Sequence, residues 1–227
     1  MSGDPLKRPV WSALTGPQAA LATRHGNAVR INPEIGYFAA MREESAPSED
    51  LACVTRASGR QSWLLEPRPV ERPAGLVRLR EAALTQMIAE RPVLDGNDEG
   101  IVPLTEADSR DMFVLARATE PGPWESDTYL YGGYYGIREN GKLVAMAGTR
   151  LRPAPDLAEV SGVCTDHAAR GRGLAKRLTI RVMRDMVDRG ETPFLHCWSS
   201  NEAAIALYRT LGFAISRELV VSVLDVA

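Results

Sequence analysis

The sequence predicts a mixed α/β domain over its second half, in which helices and strands pack as layers. Two observations come from the strands: residues 143–151 and 159–165 have strand length and composition, and Asn140-Gly141 is the strongest short signal for a hairpin. A third is a glycine-rich turn that separates a predicted strand from a predicted helix. The predicted order is helix, loop, three strands, helix, strand, helix, strand, which is typical of a mixed α/β sandwich.

Each element of the second half has a local start or stop signal. Thr105 with Asp108 forms a capping box that opens a helix to about residue 118. Gly190 and Gly212 end the two later helices. The remaining predicted elements are strands at 134–139, 143–151 and 159–165, a helix at 174–189, a strand at 194–198, a helix at 201–211 and a strand at 217–225.

The first half of the chain carries weaker signals and shows no catalytic constellation. Turn-forming and charged residues between 91 and 103 mark a surface connection, so we predict two domains, 1–100 and 101–227. The pattern predicts strands at 28–31 and 61–65 and helices at 15–24 (opened by Thr15 or Pro17), 38–41, 50–55 and 79–90.

Composition narrows the class of protein. The chain of 227 residues has a net charge of -2, so no overall field attracts nucleic acid or an anionic membrane. No apolar run reaches the roughly 18 residues of a membrane span, and the N-terminus lacks the apolar run of a signal peptide. Cys53, Cys164 and Cys197 are widely spaced, which predicts reduced thiols in a cytoplasm and no zinc or other metal site. The sequence leaves monomer and homodimer open.

The turn at 170–173 has the features of an anion site. Its glycines let the backbone approach a ligand, and the helix that follows presents unpaired N–H groups at its positive end. Residues 170–189 contain seven basic and two acidic side chains. A P-loop is excluded because Lys176-Arg177 does not match its Lys-Ser/Thr ending, and Lys176 also occupies the third glycine position of a dinucleotide fingerprint. A solvated basic helix face is the alternative.

Two motifs carry a resemblance to a known family. Arg170-x-x-Gly173-x-Ala175, and the later segment from Asn201 to Phe213, resemble the GCN5-related N-acetyltransferase (GNAT) superfamily over residues 104–225. This implies a mixed, mostly antiparallel sheet, splayed at an acyl-CoA site and flanked by helices. The amino-acid sequence of residues 159–165 and 190–196 resembles the branch of glycine N-acyltransferase-like enzymes. In that branch the first half is often a degenerate copy of the fold, which we expect for residues 1–100.

The resemblance also implies a cosubstrate site for acetyl-CoA. Backbone groups of 163–165 would hold the pantetheine arm like an added strand. Asn201 is predicted to cap the last helix and to contact the same arm. Lys176 or Arg177 would reach the 3′-phosphate, or would simply be exposed to solvent. The predicted cofactor-binding residues are Val163, Cys164, Thr165, Arg170, Gly171, Arg172, Gly173, Leu174, Ala175, Asn201 and Tyr208.

Two side chains are the candidates for proton transfer. By resemblance, Tyr208 donates a proton to the departing thiolate; the alternative is a tyrosine that only packs. Glu159 is the candidate base for the ammonium group of the acceptor, and strand alternation predicts that it shares a face with Ser161 and Val163. The alternative for Glu159 is a charge on the solvent side of a strand. His196, on the neighbouring strand, is a second candidate base and a predicted substrate-binding residue.

The predicted reaction is direct transfer of an acetyl group to a primary amine on a small molecule, amino acid or peptide. Backbone N–H groups near Val163 would stabilise the oxyanion. Trp124 and Tyr129 are predicted to contact the acceptor, although both are equally compatible with a place in the core. A covalent route through Cys164 or Cys197 is less favoured because buried strand cysteines usually only pack. The alternative function is a non-catalytic acyl-CoA sensor or partner-binding module.

Overall fold

The computed structural model describes residues 3–44 and 48–227. The α-helices are α1 (Pro9–Thr15), α2 (Glu49–Ser58), α3 (Ser109–Thr119), α4 (Leu174–Asp188) and α5 (Glu202–Thr210). The strands are β1 (Ala22–His25), β2 (Ala28–Ile31), β3 (Ala39–Met41), β4 (Ser62–Glu66), β5 (Leu76–Ile88), β6 (Ile101–Leu104), β7 (Tyr134–Glu139), β8 (Lys142–Thr149), β9 (Leu157–Thr165), β10 (Thr192–Trp198) and β11 (Ala214–Val226).

The strands form two sheets. Eight of them make the main sheet, in the order β4-β11-β5-β10-β9-β8-β7-β6, and β1, β2 and β3 make a small second sheet. Within the main sheet β9 and β10 pair in parallel, and the other neighbours pair in an antiparallel manner. The predicted mixed, mostly antiparallel sheet flanked by helices is therefore confirmed.

The second half follows the predicted order of elements. Asn140 and Gly141 both have positive φ (50° and 81°), as a type I′ turn between β7 and β8 requires. The capping box is present, with the Thr105 N–H donating to Asp108 Oδ2 at 2.9 Å, although a short 3₁₀ turn precedes α3. Strand β6 was not predicted. It contains Pro103 and lies at the edge of the sheet, where a missing N–H is tolerated.

The first half departs from the sequence prediction in three places. The predicted helix at 79–90 is wrong, because residues 79–88 belong to strand β5, which ends at Ile88. That segment is rich in helix formers, but its backbone pairs with β11 on one side and with β10 on the other, and these tertiary hydrogen bonds override local propensity. The predicted helix at 38–41 is strand β3. The predicted helix at 15–24 is also wrong, since α1 ends at Thr15 and β1 begins at Ala22.

Strand β5 joins the first half of the chain to the main sheet. It lies between β11 and β10, both from the second half, and β4 extends the same sheet beyond β11. On one face of the sheet, the buried stripe Leu174, Leu178, Val182 and Met186 packs α4 against the strands, as its spacing predicts. The division into domains 1–100 and 101–227 stays a prediction, but any such domains would share one sheet.

Within the described residues, no helix combines the length and the apolar composition that crossing a bilayer requires.

Candidate active site

Strands β9 and β10 separate at the centre of the main sheet. Their parallel pairing runs from Leu157–Thr192 to Glu159–Phe194, and no further pair follows among the described residues. Beyond that point β9 continues to Thr165 along β8, and β10 continues to Trp198 along β5. The expected splay is therefore present, and it begins at Glu159.

A β-bulge interrupts β9 where the gap opens. Ser161 pairs with Gly148 and Cys164 with Met146, so Gly162 and Val163 together face a single residue of β8. Gly162 has a φ of +62°, the left-handed conformation that this kind of bulge requires. A bulge leaves backbone groups of the extra residue outside the ladder, so the strand offers unpaired groups beside the gap.

The bulge also changes which side chains share a face of β9. Ala158, Val160 and Val163 pack in the core cluster beneath α4, whereas Cys164 packs in a different cluster. The expectation that Glu159 and Val163 share a face is therefore wrong, because the extra residue shifts the alternation between them.

A cavity of about 600 Å³ occupies the gap. Both separated strands, the glycine-rich turn, α5 and the loop before β7 contribute to its wall. The lining residues are 119–123, 159–165, 169–171, 173–176, 196–198, 201, 203–204 and 207–208, together with Phe38, Trp63, Leu65, Leu84, Arg150 and Val221. Most of the predicted cofactor residues thus lie around one cavity.

One end of the cavity is formed by the glycine-rich turn and the start of α4. Gly171 and Gly173 have φ angles of +77° and +73°, and Gly173 is the N-cap of this 15-residue helix. No side chain caps the helix, so the N–H groups of its first turn are available to a ligand. Arg170 and Lys176 add positive charge at the cavity wall.

Two other arginines of this segment have protein partners instead. Arg172 forms an exposed ion pair with Glu139, with Nη1 3.0 Å from Oε2. Arg177 Nε donates to the carbonyl of Asn97 at 3.2 Å. Neither side chain lines the cavity, so Arg172 contributes to the turn through its backbone, and Lys176 is better placed than Arg177 to reach a phosphate.

A chain of three polar side chains crosses from β9 to β5. Glu159 and His196, each with a side chain only 5% exposed, are joined by a hydrogen bond of 2.8 Å between Oε1 and Nδ1. Gln86 Nε2 lies 3.0 Å from His196 Nε2 and also donates to the carbonyl of Leu6 at 2.9 Å. Because Gln86 is the donor in both bonds, His196 Nε2 is an acceptor, and Nδ1 carries the proton that is donated to Glu159.

This network distinguishes the two candidate bases. Both ring nitrogens of His196 are occupied by protein partners. Glu159 Oε2 accepts the Leu151 N–H at 3.3 Å, and each of its carboxylate oxygens has further acceptor capacity. Glu159 also lies on the cavity wall. Glu159 therefore has acceptor capacity left on the cavity wall, whereas both ring nitrogens of His196 are already hydrogen-bonded to protein groups.

Tyr208 and Asn201 are both on α5 and both line the cavity. Asn201 caps the helix as predicted, with Oδ1 accepting the Ala204 N–H at 3.1 Å. Tyr208 is 9% exposed, and burial raises the pKa of its phenol well above the usual value because the charged phenolate is disfavoured. The phenol therefore stays protonated, and its hydroxyl is present as a hydrogen-bond donor.

The two cysteines beside the cavity are poorly suited to carry an acyl group. Burial raises the pKa of both Cys164 and Cys197 to about 11. Because the thiolate is the nucleophilic form, both thiols are largely unreactive at neutral pH. This favours direct transfer over a covalent route.

The predicted acceptor residues Trp124 and Tyr129 do not lie on the cavity wall. Trp124 is 5% exposed and packs edge-on against Tyr134, with ring centroids 5.3 Å apart. A Cβ atom at Gly162 would lie 2.9 Å from the Trp124 ring, so this tryptophan packs directly against the bulge. Tyr129 packs against the same cluster. Trp124 therefore lies in the supporting core and the half-buried Tyr129 at its rim, the alternative that their sequence also allowed.

Several residues of the cavity wall were not predicted from the sequence, above all Arg150, Phe38 and Trp63. Gln86, the partner of His196, was not predicted either, because the wrong helix prediction removed β5 from the sheet. None of these residues belongs to a motif.

Comparison with known proteins places this site in a family. The profile of the acetyltransferase (GNAT) family matches residues 102–213. N-alpha-acetyltransferase RimI of Mycobacterium tuberculosis is 42% identical over 122 residues, which is 48% of this chain and 75% of that protein. Mycothiol acetyltransferase of Saccharomonospora viridis is 30% identical over 202 residues, which is 84% of this chain and 62% of that protein.

A solved GNAT-family structure from Novosphingobium aromaticivorans resembles the whole chain. It is 48% identical, the TM-score is 0.91, and 99% of each chain is covered. The likeness therefore includes the first half, which the family profile does not reach. The chain spans less than two thirds of the mycothiol acetyltransferase it matches. The chain belongs to the acetyltransferase (GNAT) family and is an acyl-CoA-dependent N-acyltransferase.

Proposed function

We propose that the protein transfers the acetyl group of acetyl-CoA directly to a primary amine, with Glu159 as the base and Tyr208 as the acid. One observation carries this proposal. A single cavity in the gap between β9 and β10 connects the glycine-rich turn with the buried Glu159–His196 pair, and Tyr208 lies on its wall. The two ends fit the two substrates of one transfer reaction.

The residues at the turn fit the pyrophosphate of coenzyme A. The uncapped start of α4 supplies N–H donors and a positive dipole end, and Arg170 and Lys176 supply charge. The backbone of β9 from Val163 to Thr165 would bind the pantetheine arm in place of the missing β10 partner. Asn201 contributes from the start of α5. Unpaired N–H groups at the bulge would stabilise the oxyanion.

The acceptor end supplies the proton acceptor. An ammonium group must lose its proton before its nitrogen can attack a thioester. Glu159, held by His196 and by the Leu151 N–H, would accept that proton directly or through one water molecule. The protonated phenol of Tyr208, on the wall of the same cavity, would supply a proton to the departing thiolate.

The finer assignments are also proposals. The acceptors named for the relatives differ, since one is an N-alpha-acetyltransferase and another a mycothiol acetyltransferase. The amino-acid sequence of residues 159–165 and 190–196 supports a relation to glycine N-acyltransferase-like enzymes. Three widely spaced free cysteines support a reducing, cytoplasmic location.

Thiol release tests the proposed function. Purified protein is mixed with acetyl-CoA and a panel of primary amines that includes amino acids, amino acid amides and short peptides, and free thiol is followed with time. We expect amine-dependent thiol release and an acetylated amine of the corresponding mass. Coenzyme A binding without release for any amine would contradict transfer and favour a sensor.

Replacing Gly173 with alanine tests the cofactor end. Residue 173 has a φ of +73°, so a Cβ there costs about 1 kcal/mol and projects beside the N–H groups of α4. We expect the Kd for coenzyme A to rise about tenfold or more, as the loss of a charge-assisted hydrogen bond predicts. Isothermal titration calorimetry measures the change.

Gly190→Ala is a matched control. Gly190 follows the other end of α4, has a φ of +76° and has the same open surroundings. The two variants should lose similar stability in thermal unfolding, but only Gly173→Ala should weaken coenzyme A binding. An equal Kd for coenzyme A in both variants would show that the glycine-rich turn does not bind coenzyme A.

A further inference from the structure

Arg150 is a buried cation on the cavity wall with few partners. It follows the end of β8 and is 5% exposed. Of its five N–H donors, Nη2 donates to the Pro123 carbonyl at 3.3 Å, and Nε is buried without a partner. The guanidinium also lies against the hydroxyl of Tyr134, which is a neutral group and supplies no counter-charge. No carboxylate among the described residues forms an ion pair with it. A buried charge without a counter-ion is costly, so such an arrangement points to a ligand.

The backbone around Arg150 is fixed on both sides. Its N–H donates to the Glu159 carbonyl at 3.0 Å, and its own carbonyl accepts from Gln18 Nε2 at 2.7 Å. Gln18 Oε1 in turn accepts the Arg152 N–H at 2.9 Å. These contacts hold Arg150 at the Glu159 end of the cavity. Thr165, where β9 reaches the glycine-rich turn, is six residues beyond Glu159 along the strand, or about 20 Å at the usual rise per residue.

The surroundings of Arg150 are aromatic and come from both halves of the chain, with Phe38 from the first half and Tyr131 and Tyr134 from the second. Its guanidinium carbon lies 5.9 Å from the ring centroid of Phe38. Phe38 forms a β-bridge with Trp63, whose ring centroid lies 6.3 Å from that of Trp198, and all three residues line the cavity. Apolar walls exclude water and strengthen an ion pair formed between them.

We propose that Arg150 binds a carboxylate of the acceptor, so that the substrate is an amine that also carries a carboxylate group. This inference rests on the proposed acetyl transfer. A carboxylate can accept two parallel N–H bonds from the guanidinium, which an amide cannot match. Glu159 and Arg150 then present opposite charges at one end of the cavity, and a zwitterionic amino acid complements both.

Matched pairs of acceptors test this inference. Glycine, alanine and phenylalanine are each compared with the corresponding amide in the thiol-release assay. In the wild-type protein we expect kcat/KM to be about 10- to 100-fold higher for the acid, as expected for a hydrogen bond to a charged group. In Arg150→Met that ratio should fall to about one, mainly through a higher KM for the acid.

Arg152→Met is the matched control, because Arg152 pairs with Glu191 and does not line the cavity. It should keep the preference for the acid. Arg150→Met should melt at or above the wild-type temperature, since it removes an unpaired buried charge. A large loss of stability, with acid and amide affected equally, would mean that Arg150 is only structural.

A binding measurement separates failure of this inference from failure of the proposed function. N-acetylphenylalanine and its amide are titrated into the protein saturated with coenzyme A. Tighter binding of the acid, lost in Arg150→Met, supports the carboxylate site even if no amine is acetylated. Acetylation of acids and amides at equal kcat/KM, or equal binding of the two products, would overturn it.

Discussion

Replacing Glu159 with glutamine should lower kcat about 10- to 1000-fold, the usual range for loss of a general base. Glutamine preserves the shape of the side chain but cannot accept a proton from the acceptor. The difference in kcat between the wild-type protein and the variant should become smaller as the pH rises towards the pKa of the amine, because the acceptor then binds already deprotonated. Thiol release measured between pH 6 and 10 tests both statements.

Glu66→Gln provides the control for Glu159→Gln. Glu66 is also buried and also paired, with its Oε2 2.6 Å from Arg8 Nε, but it does not line the cavity. It should lose stability while keeping kcat. Wild-type kcat in Glu159→Gln at every pH would refute the role of Glu159 as base.

A double-mutant cycle tests whether His196 acts through Glu159. His196→Leu removes the hydrogen bond to Oε1 and should lower kcat about tenfold, without changing the Kd for coenzyme A. The variant that carries both Glu159→Gln and His196→Leu should be no slower than Glu159→Gln alone, because residues that act as a unit are not additive. Fully additive losses would indicate an independent role for His196.

Tyr208→Phe should also lower kcat about 10- to 1000-fold, because the thiolate would leave without a proton donor. The ring and its edge contact with Phe213, 5.8 Å away, are retained, so the fold and coenzyme A binding should be unchanged. Steady-state thiol release with calorimetric binding of coenzyme A separates the two effects. A normal kcat would mean that Tyr208 only packs.

The pH profile gives a second test of Tyr208. Burial raises the pKa of its phenol, so the acid form persists to high pH, and kcat should show no alkaline fall below about pH 10. Tyr135→Phe is the matched control, because Tyr135 does not line the cavity. Its hydroxyl accepts a hydrogen bond of 3.0 Å from Arg181 Nη2. This control should have wild-type kcat across the range.

The second half of the chain could be predicted because its signals are local. The Asn140-Gly141 turn, the capping box at Thr105 and the glycines at 171 and 173 each fix backbone geometry within a few residues. Hydrophobic spacing then fixes which face of α4 is buried. These features depend little on distant parts of the chain, and the structure agrees with them.

The first half could not be predicted in the same way. Strand β5 has the composition of a helix, and it is a strand because β11 and β10 occupy both of its edges. Those partners are about 100 residues or more away in sequence, so no local window contains the hydrogen bonds that decide its conformation. The bulge at Gly162 is similar, since one extra residue in β9 reverses the alternation on which the face of Val163 was predicted.

By itself, the sequence determined the backbone geometry of the glycine-rich turn and predicted an anion site there, because glycine conformations and the start of a helix are properties of a short segment. Only the tertiary structure decided what faces the other end of the cavity. Gln86 is hydrogen-bonded to His196, and His196 is hydrogen-bonded to Glu159. Arg150 lies beside Phe38 and has no carboxylate partner among the described residues. These side chains come from strands and loops far apart in the chain, and only packing of the sheet brings their charges together.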